Sequence, residues 1–252
     1  MTQNTCSRLT GKAAIVTGGG QWIGRSIAVR LAAEGADVLV DDIILERANE
    51  VASEIRNMGR RALPLRTNVL IRAEAEAMVK AALDEFGKVD ILVNNVGGTG
   101  GRKPTQFCDS SEDDWDGVIA QCLKSTANCC RAVINHMISR KYGRIVNISS
   151  GAGVRGIPGS VAYSAAKAGV LGLTMALSQE VALQGVRVNA VSPGPTGSAN
   201  IMLPEFMERM AKLSGLGHQG KPDDVAGVVA LLASDEAEFI NGQNYVMGGM
   251  NP

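Results

Sequence analysis

The chain has 252 residues, with 25 basic and 25 acidic side chains, 30 glycines and 4% aromatic residues. This length allows one large domain with a substantial core. Because the charges balance, no net field attracts nucleic acid or an anionic membrane. We find no apolar run of the length that crosses a membrane, and the first ten residues lack the apolar core of a signal peptide.

Strand-like apolar runs alternate with helix-length segments along the chain. The pattern predicts strands at 13–17, 37–41, 62–66, 89–94, 144–149, 186–191 and 244–247, and helices at 23–34, 45–58, 74–86, 112–140, 162–183 and 222–233. Such alternation is typical of an α/β fold with a doubly wound parallel sheet of about seven strands and helices on both faces. No linker or repeat interrupts it, so we predict a single domain over residues 1–252.

The cysteines give no sign of a metal site. Their spacing does not match any metal-ligand pattern, their number is odd, and the chain has two histidines; the five are Cys6, Cys108, Cys122, Cys129 and Cys130. We predict free thiols in a reducing cytoplasm and no bound metal.

A glycine-rich segment at 17–24 lies between the first predicted strand and the first predicted helix. Such a turn lets backbone N–H groups approach a pyrophosphate at the helix N-terminus. Asp42 follows the second strand, 24 residues after Gly18. A carboxylate there accepts hydrogen bonds from a ribose diol and repels a 2′-phosphate, which favours NAD over NADP. Asp41 is a competitor for this role, because adjacent strand residues point to opposite faces.

Tyr163 and Lys167 are four residues apart, and Ser150 lies thirteen residues before Tyr163. Residues four apart on a helix share one face, so Tyr163 and Lys167 are expected to be neighbours. An ammonium group beside a phenol is expected to lower the tyrosine pKa, which suits a general acid/base at an alcohol or carbonyl carbon. Ser150 follows a strand, where its hydroxyl can be held against a substrate oxygen.

These features together resemble the short-chain dehydrogenase/reductase family over nearly the whole chain. The matching motifs are the segment 17–24, Asn94-Asn95-Val96-Gly97, Ser149-Ser150, the Tyr163 and Lys167 pair, Val188-Asn189, Pro193-Gly194 and the tail 233–242. The resemblance implies a Rossmann-like fold, NAD(P)-dependent oxidoreductase activity and a homotetramer.

The resemblance also implies roles for single residues. Tyr163 is the expected acid/base, Lys167 holds the nicotinamide ribose, and Ser150 orients the substrate oxygen. Asn94 is expected to support the adenine side of the cleft. The full predicted cofactor set is Gly18, Gln21, Trp22, Ile23, Gly24, Asp42, Asn68, Val69, Asn94, Tyr163, Lys167, Pro193, Gly194, Thr196 and Ser198.

Three residues depart from the family pattern. Trp22 stands in place of a glycine that lets the main chain approach the pyrophosphate, so it either turns outward or covers the cofactor or a neighbouring subunit. Cys122 replaces an asparagine that anchors a relay water. It is either a small core residue, or the proton relay is impaired or passes to Gln121 or a backbone carbonyl. Asn68 replaces an aspartate, and its amide oxygen can still accept from the adenine amino group.

The segment 198–218 is expected to cap the substrate site, and its apolar residues recur at spacings of three and four. We therefore expect a mainly apolar substrate. Arg102, Lys103 and Arg155 are either solvated surface charges or partners of an acidic substrate.

The leading functional hypothesis is reversible NAD-dependent hydride transfer between a cyclic or aryl secondary alcohol and its ketone. One alternative is a 3-oxoacyl thioester reductase, which is expected to use NADPH. A second is a cyclic diol carboxylate dehydrogenase, suggested by the segment 94–99 and by Cys129-Cys130-Arg131-Ala132. A third, of another class, is a non-catalytic nucleotide-binding scaffold.

Overall fold

The computed structural model describes residues 7–197 and 214–248. In this part of the chain seven parallel strands form one sheet in the order β3-β2-β1-β4-β5-β6-β7. The strands are β1 Ala13–Val16, β2 Asp37–Asp42, β3 Ala62–Arg66, β4 Ile91–Asn94, β5 Gly143–Ile148, β6 Val186–Ser192 and β7 Asn244–Val246. The prediction of a doubly wound parallel sheet with about seven strands is confirmed.

Helices connect the strands and cover both faces of the sheet. They are α1 Trp22–Ala33, α2 Leu45–Asn57, α3 Arg72–Phe86, α4 Glu112–Ile119, α5 Ser125–Arg140, α6 Ala152–Arg155, α7 Val161–Val181 and α8 Pro222–Ala233. Most bounds lie within one or two residues of the predicted ones. The short helix α6 was not predicted, because four residues are too few to show a helical period.

The predicted continuous helix at 112–140 is interrupted. A π-helical turn, Ala120–Lys124, separates α4 from α5. Two hydroxyl groups bond the carbonyls of this turn: Ser125 Oγ donates to Gln121 O at 2.6 Å, and Thr126 Oγ1 donates to Cys122 O at 2.9 Å. Apolar spacing does not reveal such a turn, since one added residue shifts the period only slightly.

The core lies in two layers, one on each face of the sheet. Alternate residues of a strand supply opposite layers: Val16 and Val40 pack with α1, α2 and α8, whereas Ile15 and Leu39 pack with α3 and α5. A parallel sheet buried on both faces explains why its strands read as continuous apolar runs. Packing on both faces fixes the carboxyl ends of the strands, which lie together along one edge of the sheet.

Among the described residues, the segment Val161–Gln184 is long and apolar enough by length and composition to pass as a membrane span. We had expected no apolar run of this length, so that expectation does not hold by length and composition. The segment carries the buried Lys167 and packs against β6, α4 and α6. We therefore interpret it as a helix of the folded domain.

Candidate active site

A cleft of about 610 Å³ opens at the carboxyl ends of the strands. It spans the point where the strand order turns from β1 to β4, which is where open α/β sheets bind ligands. The cleft is lined by most of the predicted site residues: Gly18, Gln21, Trp22, Ile23, Gly24, Asp42, Asn68, Val69, Ser150, Tyr163, Lys167, Pro193, Gly194 and Thr196. Ser198 and residues 199–213 of the predicted capping segment lie outside the described residues.

The glycine turn presents a free helix N-terminus to this cleft. Gly18 has a φ of 59°, and a Cβ at Gly24 would overlap the carbonyl oxygen of Gly18. Helix α1 begins at Trp22, and the Gln21 side chain does not cap it. The first N–H groups of the helix therefore have no side-chain acceptor, and the turn fits the diphosphate of a dinucleotide.

Trp22 adopts a backbone conformation that suits the glycine it replaces. Its φ is 50°, and its side chain is 43% exposed on the wall of the cleft. Trp22 is thus both partly open to solvent and part of the cleft lining, and both predicted alternatives stay open.

Asp42 is fixed at the ribose end of the cleft. Its Oδ2 accepts from Gly20 N at 3.1 Å, and its Oδ1 accepts from Ile44 N at 3.0 Å. Asp41 is 1% exposed, and neither of its carboxylate oxygens has a hydrogen bond of good geometry, although Thr67 and Gly18 lie close by. Burial and the neighbouring Asp42 raise the pKa of Asp41 to about 7. The geometry thus favours Asp42 over Asp41 for contact with a ribose.

The structure corrects the position given to Asn94. This side chain does not line the cleft; its Nδ2 donates to Asn147 Oδ1 at 2.8 Å inside the sheet. The next residue, Asn95, lines the cleft instead, and its Nδ2 donates to the carbonyls of Thr17 and Gly18. Asn94 ends β4 and points into the sheet, so the residue beyond the strand end reaches the site.

Asn68 lines the cleft as expected, but one lone pair of its amide oxygen is already used. Its Oδ1 accepts from Leu70 N at 3.2 Å, and the backbone N–H of Asn68 donates to Glu74 Oε2 at 2.8 Å. An amide oxygen can accept two hydrogen bonds, so a ligand amino group remains a possible donor.

Tyr163, Ser150 and Lys167 converge on the floor of the cleft. Tyr163 lies in the first turn of α7, and Lys167 follows on the next turn. The Ser150 hydroxyl lies near the Tyr163 phenol and accepts from Ala152 N at 3.2 Å. Lys167 Nζ donates to the carbonyl of Ile148 at 2.7 Å and lies 5.9 Å from the centroid of the Tyr163 ring.

The expected lowering of the Tyr163 pKa by Lys167 stays a prediction. Burial raises the pKa of the phenol above its ordinary value, and the nearby Ser150 hydroxyl offsets part of that rise. Burial also lowers the pKa of Lys167. Desolvation is the largest cause in both groups, since each loses water on the floor of the cleft.

Cys122 lies in the π-helical turn and is fully buried. Its Sγ accepts from Gly98 N and donates to Gly98 O, each at 3.3 Å. The adjacent Gly97 touches the catalytic region, because a Cβ there would lie 2.7 Å from Lys167 Nζ. Cys122 is therefore a buried core residue that also holds the loop beside Lys167. Which group serves as the relay stays a prediction. Gln121 lines the cleft beside it.

The three candidate basic residues are placed differently. Arg102 Nε donates to Asp114 Oδ1 at 3.0 Å, so its charge is partly neutralised. Lys103 and Arg102 line a second cavity of about 60 Å³, which Tyr163 separates from the main cleft. Arg155 is exposed and lines neither of these two cavities.

Sequence reasoning missed several residues that shape the site. Thr17 Oγ1 accepts from Asn95 N at 3.0 Å and Val96 N at 3.3 Å, which ties the glycine turn to the loop after β4. The Ile148 carbonyl orients Lys167. A hydroxyl at the end of β1 was a visible signal for Thr17, whereas no side-chain pattern marks a backbone carbonyl.

Comparison with known proteins agrees with this arrangement. The family model for short chain dehydrogenase matches residues 12–205. The chain belongs to the short-chain dehydrogenase family. This short-chain dehydrogenase is 40% identical over 243 residues to the 3-oxoacyl-(acyl-carrier-protein) reductase FabG of Staphylococcus aureus (strain Mu50), covering 95% of this chain and 98% of the relative.

Two further relatives act on ring-bearing molecules according to their names. The chain is 38% identical over 243 residues to the (2S)-((R)-hydroxy(phenyl)methyl)succinyl-CoA dehydrogenase subunit BbsD of Thauera aromatica, covering 94% of this chain and 96% of the relative. A solved 7 alpha-hydroxysteroid dehydrogenase, complexed with NADH and 7-oxo glycochenodeoxycholic acid, superposes with a TM-score of 0.91 at 30% identity over the full length of both chains.

Proposed function

We propose that this short-chain dehydrogenase interconverts a secondary alcohol and a ketone with NAD as its cofactor. The observation that carries the proposal is the convergence of Ser150, Tyr163 and Lys167 in the same cleft as the glycine turn and Asp42. One end of the cleft suits a dinucleotide, and the other end offers a hydroxyl, a phenol and an ammonium group to a carbonyl oxygen.

The side chains divide the proton chemistry between them. When bound, a nicotinamide supplies the acceptor or donor for the hydride of the carbinol carbon. In oxidation the ionised Tyr163 takes the hydroxyl proton while Ser150 holds the substrate oxygen. In reduction the Tyr163 phenol returns that proton. The positive charge of Lys167 stabilises the ionised phenol, and its bond to Ile148 O fixes the ammonium group beside the site.

NAD, rather than NADP, is supported by the buried Asp42. Its two accepted backbone hydrogen bonds fix the carboxylate at the end of β2, where it would meet a ribose diol and repel a 2′-phosphate. The solved neighbour that carries NADH is consistent with this choice.

A cyclic or aryl substrate is supported by the second cavity. Phe107 and Trp115 form an edge-to-face pair with ring centroids 6.0 Å apart on its wall, next to Val118 and Val161. Tyr163 lines both this cavity and the cofactor cleft, so a ring on the alcohol carbon would lie against this aromatic wall rather than inside the small cavity. The ring-bearing ligands named for two relatives point the same way.

Replacement of the phenol tests the reaction directly. We expect Tyr163→Phe to lower kcat by about 1000-fold with cyclic and aryl secondary alcohols, because the proton acceptor is lost. NAD binding, measured by calorimetry, should persist. Tyr245→Phe is the matched control, since Tyr245 lies in β7 and lines neither cavity. Full activity of the Tyr163 variant would refute the proposed role.

A 3-oxoacyl thioester reductase is the second candidate, because the FabG relatives reach 40% identity. A comparison of acetoacetyl thioester reduction with NADPH and cyclic ketone reduction with NADH separates the two. Faster thioester reduction with NADPH would favour the second candidate. Cyclic diol carboxylates belong in the same panel, although Cys129 and Cys130 are buried in the core and do not reach the cleft. Nucleotide binding without turnover on any substrate would instead indicate a scaffold.

We further infer a cytoplasmic homotetramer. Exposed apolar residues on α7 and after α8 offer contact surface to other copies, namely Val161, Met175, Leu183 and Phe239. The described cysteines are free thiols, as suits a reducing compartment. Sedimentation equilibrium measures the assembly, and a dimer mass at all concentrations would correct it.

A further inference from the structure

Trp22 and Lys141 are the non-glycine residues with positive φ in the described part of the chain, at 50° and 53°. Lys141 is the C-cap of α5, where a left-handed residue ends a helix in an ordinary way. Trp22 instead begins α1, and a bulky residue in this conformation costs about 1–3 kcal/mol. Helix termination therefore does not explain the strained backbone of Trp22.

Hydrogen bonds and ring contacts of the indole do not offset the cost of this strained backbone. The Trp22 side chain is 43% exposed, and it makes no hydrogen bond or ring contact with the described residues. Trp115 is the useful contrast: its Nε1 donates to Ser110 Oγ at 3.2 Å, and its ring packs on Phe107. Trp22 thus keeps an unused N–H donor and an open apolar face.

Trp22 lies on the wall of the cleft that we assign to the dinucleotide. Trp22 lines this cleft together with Gly18 of the glycine turn and Pro222, the first residue of α8. A ligand in the cleft would therefore meet the indole beside the free N-terminus of α1. Burial of the exposed part of a tryptophan against a ligand contributes favourable apolar free energy, and its N–H can reach an acceptor oxygen.

We propose that Trp22 is a cofactor-covering residue: its indole closes over the bound dinucleotide beside the diphosphate turn. This inference rests on the proposed function only in that the cleft binds NAD. It assigns a binding role to a side chain that stands where the family has a glycine, and the strained backbone is what aims that side chain at the cleft. The loss in folding stability is offset by cofactor affinity.

Fluorescence reports on this contact without turnover. In a Trp115→Phe background the emission comes from Trp22, because the chain has two tryptophans. Saturating NAD⁺ should lower the acrylamide quenching constant of Trp22 by about twofold or more, since the bound dinucleotide covers the indole. Unchanged quenching would overturn the proposal. Protection that depends on protein concentration and not on NAD⁺ would assign Trp22 to a subunit contact instead.

Affinity provides the second measurement. Trp22→Gly should raise the Kd of NAD⁺ by about tenfold, and Trp22→Phe, which keeps a ring, should raise it less. The midpoint of urea unfolding without cofactor should not fall in Trp22→Gly, because relief of strain offsets the lost packing. Lys141→Gly is the matched control: it relieves the other positive φ, far from the cleft residues, and should leave the Kd unchanged.

The proposed function and the proposed role of Trp22 are overturned by different results. If the native protein binds neither NAD⁺ nor NADP⁺, both are overturned. If it binds NAD⁺ and Trp22→Gly binds it equally tightly, the role of Trp22 alone is overturned. If Trp22 is protected but no alcohol or ketone is turned over, the reaction fails and the cofactor contact stands.

Discussion

The Sγ atom of Cys122 lies 3.3 Å from both the amide nitrogen and the carbonyl oxygen of Gly98. One thiol thus donates to and accepts from a single peptide position, as a side-chain amide could. The π-helical turn Ala120–Lys124 directs the thiol toward this loop. Because Gly97 lies against Lys167, the thiol sets how the loop rests on this lysine.

Removal of this thiol should slow the reaction more than it weakens cofactor binding. We expect Cys122→Ala to lower kcat by about tenfold, because the loop over Lys167 loses both of its bonds to the π-helical turn. The free energy of unfolding should fall by about 1–2 kcal/mol from the lost contacts and the small cavity. Steady-state kinetics and urea unfolding measure the two effects.

Two variants provide the comparison. Cys122→Ser keeps a donor and an acceptor and should retain more activity than the alanine variant. Cys129→Ala deletes a thiol from the core on the other side of α5 and should lower stability without the same loss of kcat. Equal kcat losses in Cys122→Ala and Cys129→Ala would show that only general packing is involved.

The pH profile of the reaction should reflect the buried phenol. Burial raises the pKa of Tyr163 above its ordinary value of 10.0, and oxidation requires the ionised form, so kcat/KM for alcohol oxidation should still be rising as the pH approaches that ordinary value. Ketone reduction uses the protonated phenol and should stay level over the same range. Stopped-flow or steady-state rates across this range test the pH profiles of both oxidation and reduction.

Ser150→Ala should move this profile in a defined direction. The nearby Ser150 hydroxyl lowers the pKa of Tyr163, so its loss should shift the rising limb of the residual oxidation activity to higher pH. A limb that stays in place, or moves to lower pH, would contradict the contact between the two hydroxyl groups.

Asp42 should decide between the two nicotinamide cofactors. Asp42→Ala removes the negative charge at the end of β2, so the ratio of kcat/KM with NADH to that with NADPH should fall by about tenfold or more. Asp37→Asn lies on the same strand, but Asp37 pairs with Arg60 and Arg61 at its other end. That control should keep the native ratio, and an unchanged ratio in Asp42→Ala would remove the argument for NAD.

Asp41 should make the native protein less stable as the pH rises. Its folded pKa of about 7 lies above the ordinary value of 3.8, so the folded state holds a proton that the unfolded state loses. Stability is therefore greatest below about pH 4 for this group and is lost progressively up to about pH 7. The full effect has an upper limit of roughly 4 kcal/mol.

Asp41→Asn tests this because the amide carries no titrating proton. Urea unfolding at about pH 5 and pH 8 should give a smaller loss of stability in the variant than in the native protein. Glu76→Gln, a change of an exposed acid in α3, should keep the native pH dependence. If Asp41→Asn loses as much stability between these pH values as the native protein does, another group is responsible for the pH dependence.

The sequence by itself determined the sheet and the location of the site within it. Apolar runs such as Ile15 and Val16 are fully buried in β1, and continuous burial on both faces is what a parallel sheet requires. The glycine turn and the Tyr163 and Lys167 pair are local patterns, since a turn or one helical step fixes their geometry. Their positions followed from spacing alone, and their chemical roles stay predictions.

Tertiary structure alone decided which neighbours each polar side chain meets. The sequence could not show that Asn94 turns into the sheet while Asn95 faces the cleft, or that burial raises the pKa of Tyr163. Nor could spacing reveal the π-helical turn that aims Cys122 at Gly98. Burial, hydrogen-bond partners and positive φ depend on segments far apart in the chain, and only the packed fold brings those segments together.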